Sequence, residues 1–374
     1  MKKIFLIDNV YSECTASSYL FNKVKNFFLL NWYDLVDSEL EATDILINTC
    51  GVWTHIENKQ INYIDNLLKK FWSKKKIYVY GCLSWISPRL IKNYSDKVVL
   101  IPTKKDYLLD NYFEHSVSIR NIDAVLVNKW KIRNPATIFS DNKKRFYVSI
   151  SRWCVHNCSY CVIKRAIGYV TSRKPEEILK ECEYAVKNWY NEIVLVSDDA
   201  GSYGLDIGIS FDVLFNEICK IEWNYQIDIN YVEPWIFSKI FPKISYNFYK
   251  VSRITCPIQS YNDRLLELMN RKYTVSLFID LIDSFRKAWD KSLKVINHII
   301  YGYPTETFKE FKRNLEYLNV CDSNLFILYS YREWTKKFDD NQLIMPNEIK
   351  KRTKILLKLN KINPIKVDLA NFDV

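Results

Sequence analysis

Two series of short apolar runs alternating with helical patterns constrain this chain more than any other feature. In the first ~135 residues, strand composition falls at 4–7, 44–48, 76–80 and 98–101, with helical spacing over 16–30 and about 55–71. A longer series starts at Lys143. Its expected strands are 146–150, 192–197, 226–231, 253–258, 293–300 and 325–329, separated by helices over 175–187, 211–221, 263–269, 274–287 and 307–318. Strands and helices alternating at these lengths imply βαβ units and parallel sheets. The segment 128–142, with Asn, Lys, Arg and Pro, has linker composition. The expected chain is therefore α/β. An N-terminal open parallel-sheet βαβ domain over 1–135 precedes an incomplete (β/α)6 barrel over 143–345, open on one side for a large substrate. A basic helix and tail over 346–374 follow.

The cysteines fall on this scheme in a pattern. Cys154, Cys158 and Cys161 occupy the loop right after the strand at 146–150, at the carboxyl end where barrel active sites are built. Three thiols at that spacing can wrap one iron–sulfur cube and leave its fourth iron open to a substrate. A closed structural metal site wants four ligands, and no fourth Cys or His follows at a suitable distance; His156 is expected to point away from the side the thiolates face. The alternatives are a zinc knuckle or three core cysteines. Cys50 and Cys82 each stand two residues past a strand, and Cys14 lies in the loop after the first strand. Ligands in open α/β sheets gather at such carboxyl ends, so these three can converge on one site. The alternative is three buried cysteines near turns. Cys182, Cys219, Cys256 and Cys321 fall inside helix- and strand-like segments and are expected in the core.

Lys and Arg number 54 against 43 Asp and Glu, a net charge of +11. That surplus favours a polyanionic partner such as RNA. The helix expected from 347 to about 362 adds Lys350, Lys351, Arg352, Lys354, Lys358 and Lys361, either for RNA phosphates or as a solvated face. No apolar run approaches the roughly 18 residues of a membrane span, and Asp8 interrupts the first apolar stretch after four residues. A cytoplasmic location is expected, where ten cysteines mean metal or redox chemistry rather than disulfides.

Many short motifs in one order give the chain a resemblance that covers about residues 40–340. They include Asn48-Thr49-Cys50, Tyr80-Gly81-Cys82, the Cys154/Cys158/Cys161 loop with Tyr160, Glu233-Pro234, Pro257-Ile258-Gln259-Ser260, Met269-Asn270-Arg271-Lys272-Tyr273, Gly302-Tyr303-Pro304 and Tyr329-Ser330-Tyr331-Arg332. Together they resemble the methylthiotransferase family of radical S-adenosylmethionine enzymes. The resemblance implies that Cys154, Cys158 and Cys161 hold a [4Fe-4S] cluster whose open iron chelates S-adenosylmethionine and whose electron splits it to a 5′-deoxyadenosyl radical. It implies a second [4Fe-4S] cluster on Cys14, Cys50 and Cys82, carrying the sulfur to be inserted. Candidate S-adenosylmethionine contacts are Tyr160, through its backbone, with Asp198, Asp199, Glu233 and Gln259 at strand ends; helix N-caps are the alternative for the carboxylates. The implied reaction inserts a methylthio group at carbon 2 of a modified adenosine next to the tRNA anticodon, most like the threonylcarbamoyl-adenosine branch. An aspartate of a ribosomal protein is the alternative substrate, and a non-catalytic iron–sulfur RNA-binding protein the alternative class. Implied partners are tRNA and an electron donor such as ferredoxin or flavodoxin, with no membrane. The chain departs from the family at Glu13-Cys14-Thr15-Ala16-Ser17-Ser18, at Lys164 and at Ile167-Gly168. Only about a dozen residues follow the tail helix, so the small RNA-gripping β-barrel common in the family is not expected.

Glycine is scarce, 7 of 374 residues, and tryptophan common, 11, against a usual glycine share of ~7%. Trp32, Trp72, Trp189 and Trp289 each follow a helical pattern, where the chain commonly turns left-handed and glycine is favoured. Trp153 and Trp334 stand where the family pattern has glycine. These positions are expected to be of glycine type, with UGA codons read as glycine; a lineage truly rich in Trp and poor in Gly is the alternative.

Overall fold

The computed structural model describes all residues except 1, 9–14, 52–53, 72–73, 123–125, 128–131, 134–144, 290–292 and 370–374. The chain divides into two compact units. The N-terminal unit runs β1 (Lys3–Ile7), α1 (Thr15–Leu30), β2 (Asp34–Val36), β3 (Asp44–Thr49), α2 (Thr54–Phe71), β4 (Lys76–Gly81), α3 (Leu83–Ile86), α4 (Pro88–Tyr94), β5 (Val99–Pro102) and α5 (Leu108–Tyr112). Two later pieces join it: residues Val162–Gly168, which contain α6 (Ile163–Ile167), and Arg332–Trp334.

Its sheet is parallel throughout, in the order β2-β1-β3-β4-β5. All six residues of β3 are buried, as expected of a strand covered on both faces. Alternate side chains serve opposite faces. Ile45 and Ile47 pack with Ile61, Ile64 and Leu67 of α2, while Leu46 packs with Phe21, Val24 and Phe28 of α1. The strand order reverses between β1 and β3, and that switch point is where a sheet of this kind opens a crevice at its carboxyl edge. β2 is not foreseen by the sequence pattern; three residues are too few to show a period. At the start of the expected linker, β6 (Leu126–Val127), just before it, pairs antiparallel with β7 (Ile132–Arg133), within it.

The second unit begins with β8 (Arg145–Ser149) and the short β9 (Ser151–Arg152), which pairs antiparallel with β10 (Thr171–Ser172). Then come α7 (Pro175–Lys187), β11 (Glu192–Val196), α8 (Phe211–Cys219), β12 (Gln226–Asn230), α9 (Pro234–Ile240), β13 (Val251–Thr255), α10 (Asp263–Leu268), α11 (Val275–Ala288), β14 (Lys294–Tyr301), α12 (Phe308–Glu316), β15 (Ser323–Leu328), α13 (Pro346–Ile362) and β16 (Val367–Leu369). The sheet is parallel in the order β16-β15-β14-β13-β12-β11-β8. It is the expected six-stranded βα series with one more strand, β16, added on the β15 edge. All carboxyl ends therefore share one rim. β13 starts at Val251, two residues before its expected start, because Val251 already pairs with Ile227. The short α9 is likewise unforeseen; Glu233 caps it and Pro234 opens it.

Two further expectations change here. Arg352 is not part of the basic face of the tail helix. It is 2% exposed and its guanidinium is ion-paired with the buried Glu306, whereas Lys350, Lys351, Lys354, Lys358 and Lys361 are exposed. Trp32 and Trp189 are left-handed, at φ +62° and +61°. Trp289, the residue that ends α11, is extended instead, at φ −158°; Trp72 lies outside the described residues. Among the described residues, no helix is long and apolar enough to cross a membrane.

Candidate active site

In the second unit the loop Cys154–Cys161 leaves the carboxyl end of β8 through β9. It is fastened to the rim at several points. The Trp153 N–H donates to Asp198 Oδ2 (2.6 Å) and the Val155 N–H to Ser202 Oγ (3.3 Å), both beyond β11. From the other side the end of α10 grips it. Asn270 Nδ2 donates to the Asn157 carbonyl (2.6 Å), the Ser159 N–H donates to the Met269 carbonyl (3.0 Å), and Ser159 Oγ donates to the Leu268 carbonyl (2.9 Å). Asn270 does this from a left-handed backbone, φ +58°, a conformation Asn tolerates.

The three loop cysteines form no disulfide and are partly exposed. Burial, then the charges of Asp199, Cys161 and Cys158, push the Cys154 thiol far above its ordinary range. Among the described residues no three His, Cys, Asp or Glu side chains close on a point as a single metal ion requires. The donor set itself, three cysteine sulfurs on one loop, is of the chemistry that holds an iron–sulfur cube.

Beside the loop stands a buried polar group. His156 Nε2 lies 3.0 Å from Asp199 Oδ2 and 3.8 Å from Glu233 Oε2, so His156 is spoken for by carboxylates at the ends of β11 and β12. Asp199 also accepts from Ser202 Oγ (2.6 Å), the Gly201 N–H (3.1 Å) and the Glu233 N–H (2.9 Å). A carboxylate has about four acceptor positions, and Asp199 has filled all of them. It organises the rim. Glu233 spends Oε2 on capping α9 at the Ile236 N–H (3.0 Å), and its Oε1 sits 3.9 Å from Arg271. Burial raises its pKa, opposed by His156 and Arg271. Asp198 is likewise raised by burial and opposed by the Trp153 amide; that amide is its one hydrogen-bond donor among the described residues.

The buried polar atoms on this rim that have no partner among the described residues include Gln259 Oε1 and Arg271 Nε. Gln259 is 7% exposed at the end of β13, with φ +75°. The Arg271 side chain is 8% exposed, and its guanidinium carbon is 5.8 Å from the Tyr160 ring centroid. Left unpaired, each would carry a desolvation cost of about 1–3 kcal/mol, so both are poised for a ligand with donors and a negative charge. S-adenosylmethionine, with an amino group, ribose hydroxyls and a carboxylate, has that character. Tyr160 packs by its ring against Leu265, Met269, Ile300 and Tyr303. In the sequence Arg271 is one residue of a motif with no role of its own; a buried guanidinium can be told from a surface one only once its burial is known.

In the N-terminal unit, Cys50 and Cys82 directly follow Thr49 and Gly81, which are paired across β3 and β4. The two residues are thus neighbours on the carboxyl edge; Cys50 is buried and Cys82 partly so. Gly81 allows the approach: at φ +107°, a Cβ there would meet the Thr49 carbonyl at 2.3 Å. Asn48 ties the switch point together, donating to Asp8 Oδ1 (2.7 Å) and accepting from Ser17 Oγ (3.2 Å). Cys14 lies outside the described residues. Cys182, Cys256 and Cys321 are buried and Cys219 partly so.

Comparison with known proteins agrees with this division. Residues 148–318 match the radical SAM superfamily, and residues 12–102 match the uncharacterized protein family UPF0004. A probable threonylcarbamoyladenosine tRNA methylthiotransferase of Pyrococcus horikoshii is 29% identical over 295 residues, 77% of this chain and 67% of that protein. A tRNA-2-methylthio-N(6)-dimethylallyladenosine synthase of Staphylococcus epidermidis is 31% identical over 339 residues, 86% of this chain and 64% of that protein. The chain thus spans about two thirds of the length of these relatives. In fold it is similar to the radical S-adenosylmethionine methyltransferase TsrM of Kitasatospora setae, with a TM-score of 0.57 at 11% identity over 87% of this chain and 73% of that one. The chain thus carries a radical SAM domain over residues 148–318 behind a UPF0004 domain over residues 12–102, and proteins named as tRNA methylthiotransferases are similar to it over most of its length.

Proposed function

We propose that the chain is a radical S-adenosylmethionine methylthiotransferase acting at carbon 2 of a modified adenosine beside the tRNA anticodon. The observation that carries this reading is the three-thiol loop, clamped between the ends of β11 and α10 beside two buried, unpaired polar atoms, Arg271 Nε and Gln259 Oε1. Cys154, Cys158 and Cys161 would hold a [4Fe-4S] cluster, which supplies, when bound, the electron for reductive cleavage of S-adenosylmethionine. Breaking an unactivated C–H bond is beyond any side chain, so the protein's work is placement. Arg271 binds the carboxylate of S-adenosylmethionine, a charge-assisted pairing that its buried site strengthens. Gln259 Oε1 and the open oxygen of Asp198 accept from its hydroxyls or amino group, the Tyr160 backbone borders the adenine, and Glu233 keeps Arg271 oriented.

Cys50, Cys82 and Cys14 hold a second [4Fe-4S] cluster at the switch point of the N-terminal sheet. The support is the adjacency of Cys50 and Cys82 at the one edge where that fold collects ligands. The net charge of +11 and the exposed lysines of α13 suit tRNA as the partner, and a ferredoxin or flavodoxin supplies electrons. Within the relatives, the threonylcarbamoyl-adenosine branch is the favoured substrate class, on the Asn157–Cys161 and Ser197–Gly204 stretches. The test is anaerobic reconstitution with iron and sulfide, then dithionite, S-adenosylmethionine and tRNA lacking the methylthio group. The expected products are 5′-deoxyadenosine and a methylthio-nucleoside. Two intact clusters with no cleavage of S-adenosylmethionine would refute the enzyme and favour a binding protein.

A further inference from the structure

Eight non-glycine residues among those described have left-handed backbone, and four of them are tryptophan: Trp32 (φ +62°), Trp153 (+70°), Trp189 (+61°) and Trp334 (+81°). The described residues include only eight tryptophans, so half of them occupy a conformation that a Cβ disfavours. The other four residues have reasons to be there. Asn270 belongs to a type that tolerates the region. Tyr231 and Gln259 stand at strand ends on the active-site rim, where strain is commonly kept. Thr305 is held by Arg264, which donates to its Oγ1 at 3.0 Å.

Trp32 and Trp189 sit in one specific motif. After α1 the Tyr33 N–H donates to the Phe28 carbonyl (3.0 Å), and after α7 the Tyr190 N–H donates to the Ala185 carbonyl (3.1 Å). Each bond closes a helix by the six-to-one link whose left-handed residue is usually glycine and sometimes asparagine. Asn270 fills that place after α10, where the Arg271 N–H donates to the Leu266 carbonyl (2.9 Å). Two of these three ends therefore carry a bulky aromatic, 81% and 64% exposed, the Trp189 ring meeting that of Trp223 edge-on at 5.2 Å. Trp153 turns the chain from β9 into Cys154 while its N–H binds Asp198.

We infer that the working protein carries glycine at 32, 153, 189 and 334, and that these codons are UGA read as glycine. The inference covers the left-handed positions only; Trp85 and Trp235 are helical and Trp289 is extended. Position 153 is then a positioning residue: a glycine there lets the loop turn toward the radical cluster without strain.

Two measurements test this. The gene and the mass of tryptic peptides from native protein give codon and residue directly. UGA with glycine at all four positions is expected, and tryptophan at any of them overturns the inference. The full chain is also made in both forms, as given and as Trp32→Gly/Trp153→Gly/Trp189→Gly/Trp334→Gly, then reconstituted side by side. The glycine form is expected to melt several degrees higher and to hold at least twofold more cluster iron per chain, by absorbance and Mössbauer spectra. Equal melting and equal iron in the two forms would count against it. Peptide mass is independent of cluster binding, so failure of the cluster reading cannot be mistaken for failure here.

Discussion

Replacing Arg352 by Met tests whether α13 belongs to the core of the second unit or is a detachable basic arm. Arg352 and Glu306 are 2% and 1% exposed. Besides the carboxylate pairing, Arg352 Nη2 donates to the Glu306 carbonyl (3.0 Å). Removing one partner of a buried pair costs about 3–5 kcal/mol, because the other charge is left uncompensated. Glu306 keeps a donor in the Gly302 N–H (2.7 Å), which lowers the cost, while the lost backbone bond adds about 1 kcal/mol. We expect about 4 kcal/mol, or ~8–16 °C in Tm for a unit of this size. Glu306→Gln added to Arg352→Met leaves no buried charge and should recover most of the loss. The pH response has a definite sign. Burial pushes the Glu306 carboxyl up to about 7 even beside Arg352, and loss of the guanidinium raises it further. A carboxyl raised above its unfolded value of about 4.3 binds its proton first in the native state. Its stabilising effect is therefore complete below that unfolded value and is lost as pH rises through the folded one. Arg352→Met should be less damaging at pH 5 than at pH 8. Urea unfolding followed by circular dichroism at the two pH values measures both effects. Equal cost at pH 5 and 8, or a double variant no more stable than the single, would refute the reasoning.

Single Cys154→Ala, Cys158→Ala or Cys161→Ala should abolish 5′-deoxyadenosine formation, since two thiolates do not hold a cube. Cys82→Ala should keep that cleavage and stop sulfur insertion; a normal yield of methylthiolated product from Cys82→Ala removes the two-cluster scheme. Arg271→Lys should raise the Kd for S-adenosylmethionine about 10–100-fold, from a buried charge-assisted bond of about 1.5–3 kcal/mol, and isothermal titration with the reconstituted protein reads it. Reversal of the exposed Lys350, Lys351 and Lys354 to Glu should flatten the slope of log affinity for tRNA against log salt by about 2–3, close to one for each phosphate no longer neutralised. An unchanged slope would place the RNA-binding surface elsewhere.

The parallel character of both sheets was legible because their strands are apolar runs of the right length. The sites of Cys50, Cys82 and the three-cysteine loop followed from counting residues past each run. What stayed hidden was set by tertiary context. β2 and β16 are three residues each and take their strand form from a neighbour's edge, not from a period of their own. Arg352 looks like one more cation in a basic helix; only the placement of Glu306 opposite it makes it a core residue. The left-handed turn at Trp189 was legible from the helical pattern ending before it, yet the same signal misled at Trp289, whose chain leaves α11 extended.

The active-site rim shows most clearly why composition and spacing stop short of roles. Asp198, Asp199, Glu233 and Gln259 are alike in sequence terms, polar residues one to four past a strand. The structure separates them by counting hydrogen bonds. Asp199 has four donors for about four acceptor positions and can only organise its surroundings. Glu233 is half committed, to the α9 cap. Gln259 Oε1 has no partner among the described residues and is buried on a strained backbone, a cost that the fold would not carry without return. Capacity left over after internal bonding, and not residue type, distinguishes a group that can bind S-adenosylmethionine from one that shapes the place where it binds. On that measure Arg271, with a buried and unpaired Nε beside Glu233 and Tyr160, joins Asp198, which has one hydrogen-bond donor among the described residues, as a candidate ligand contact.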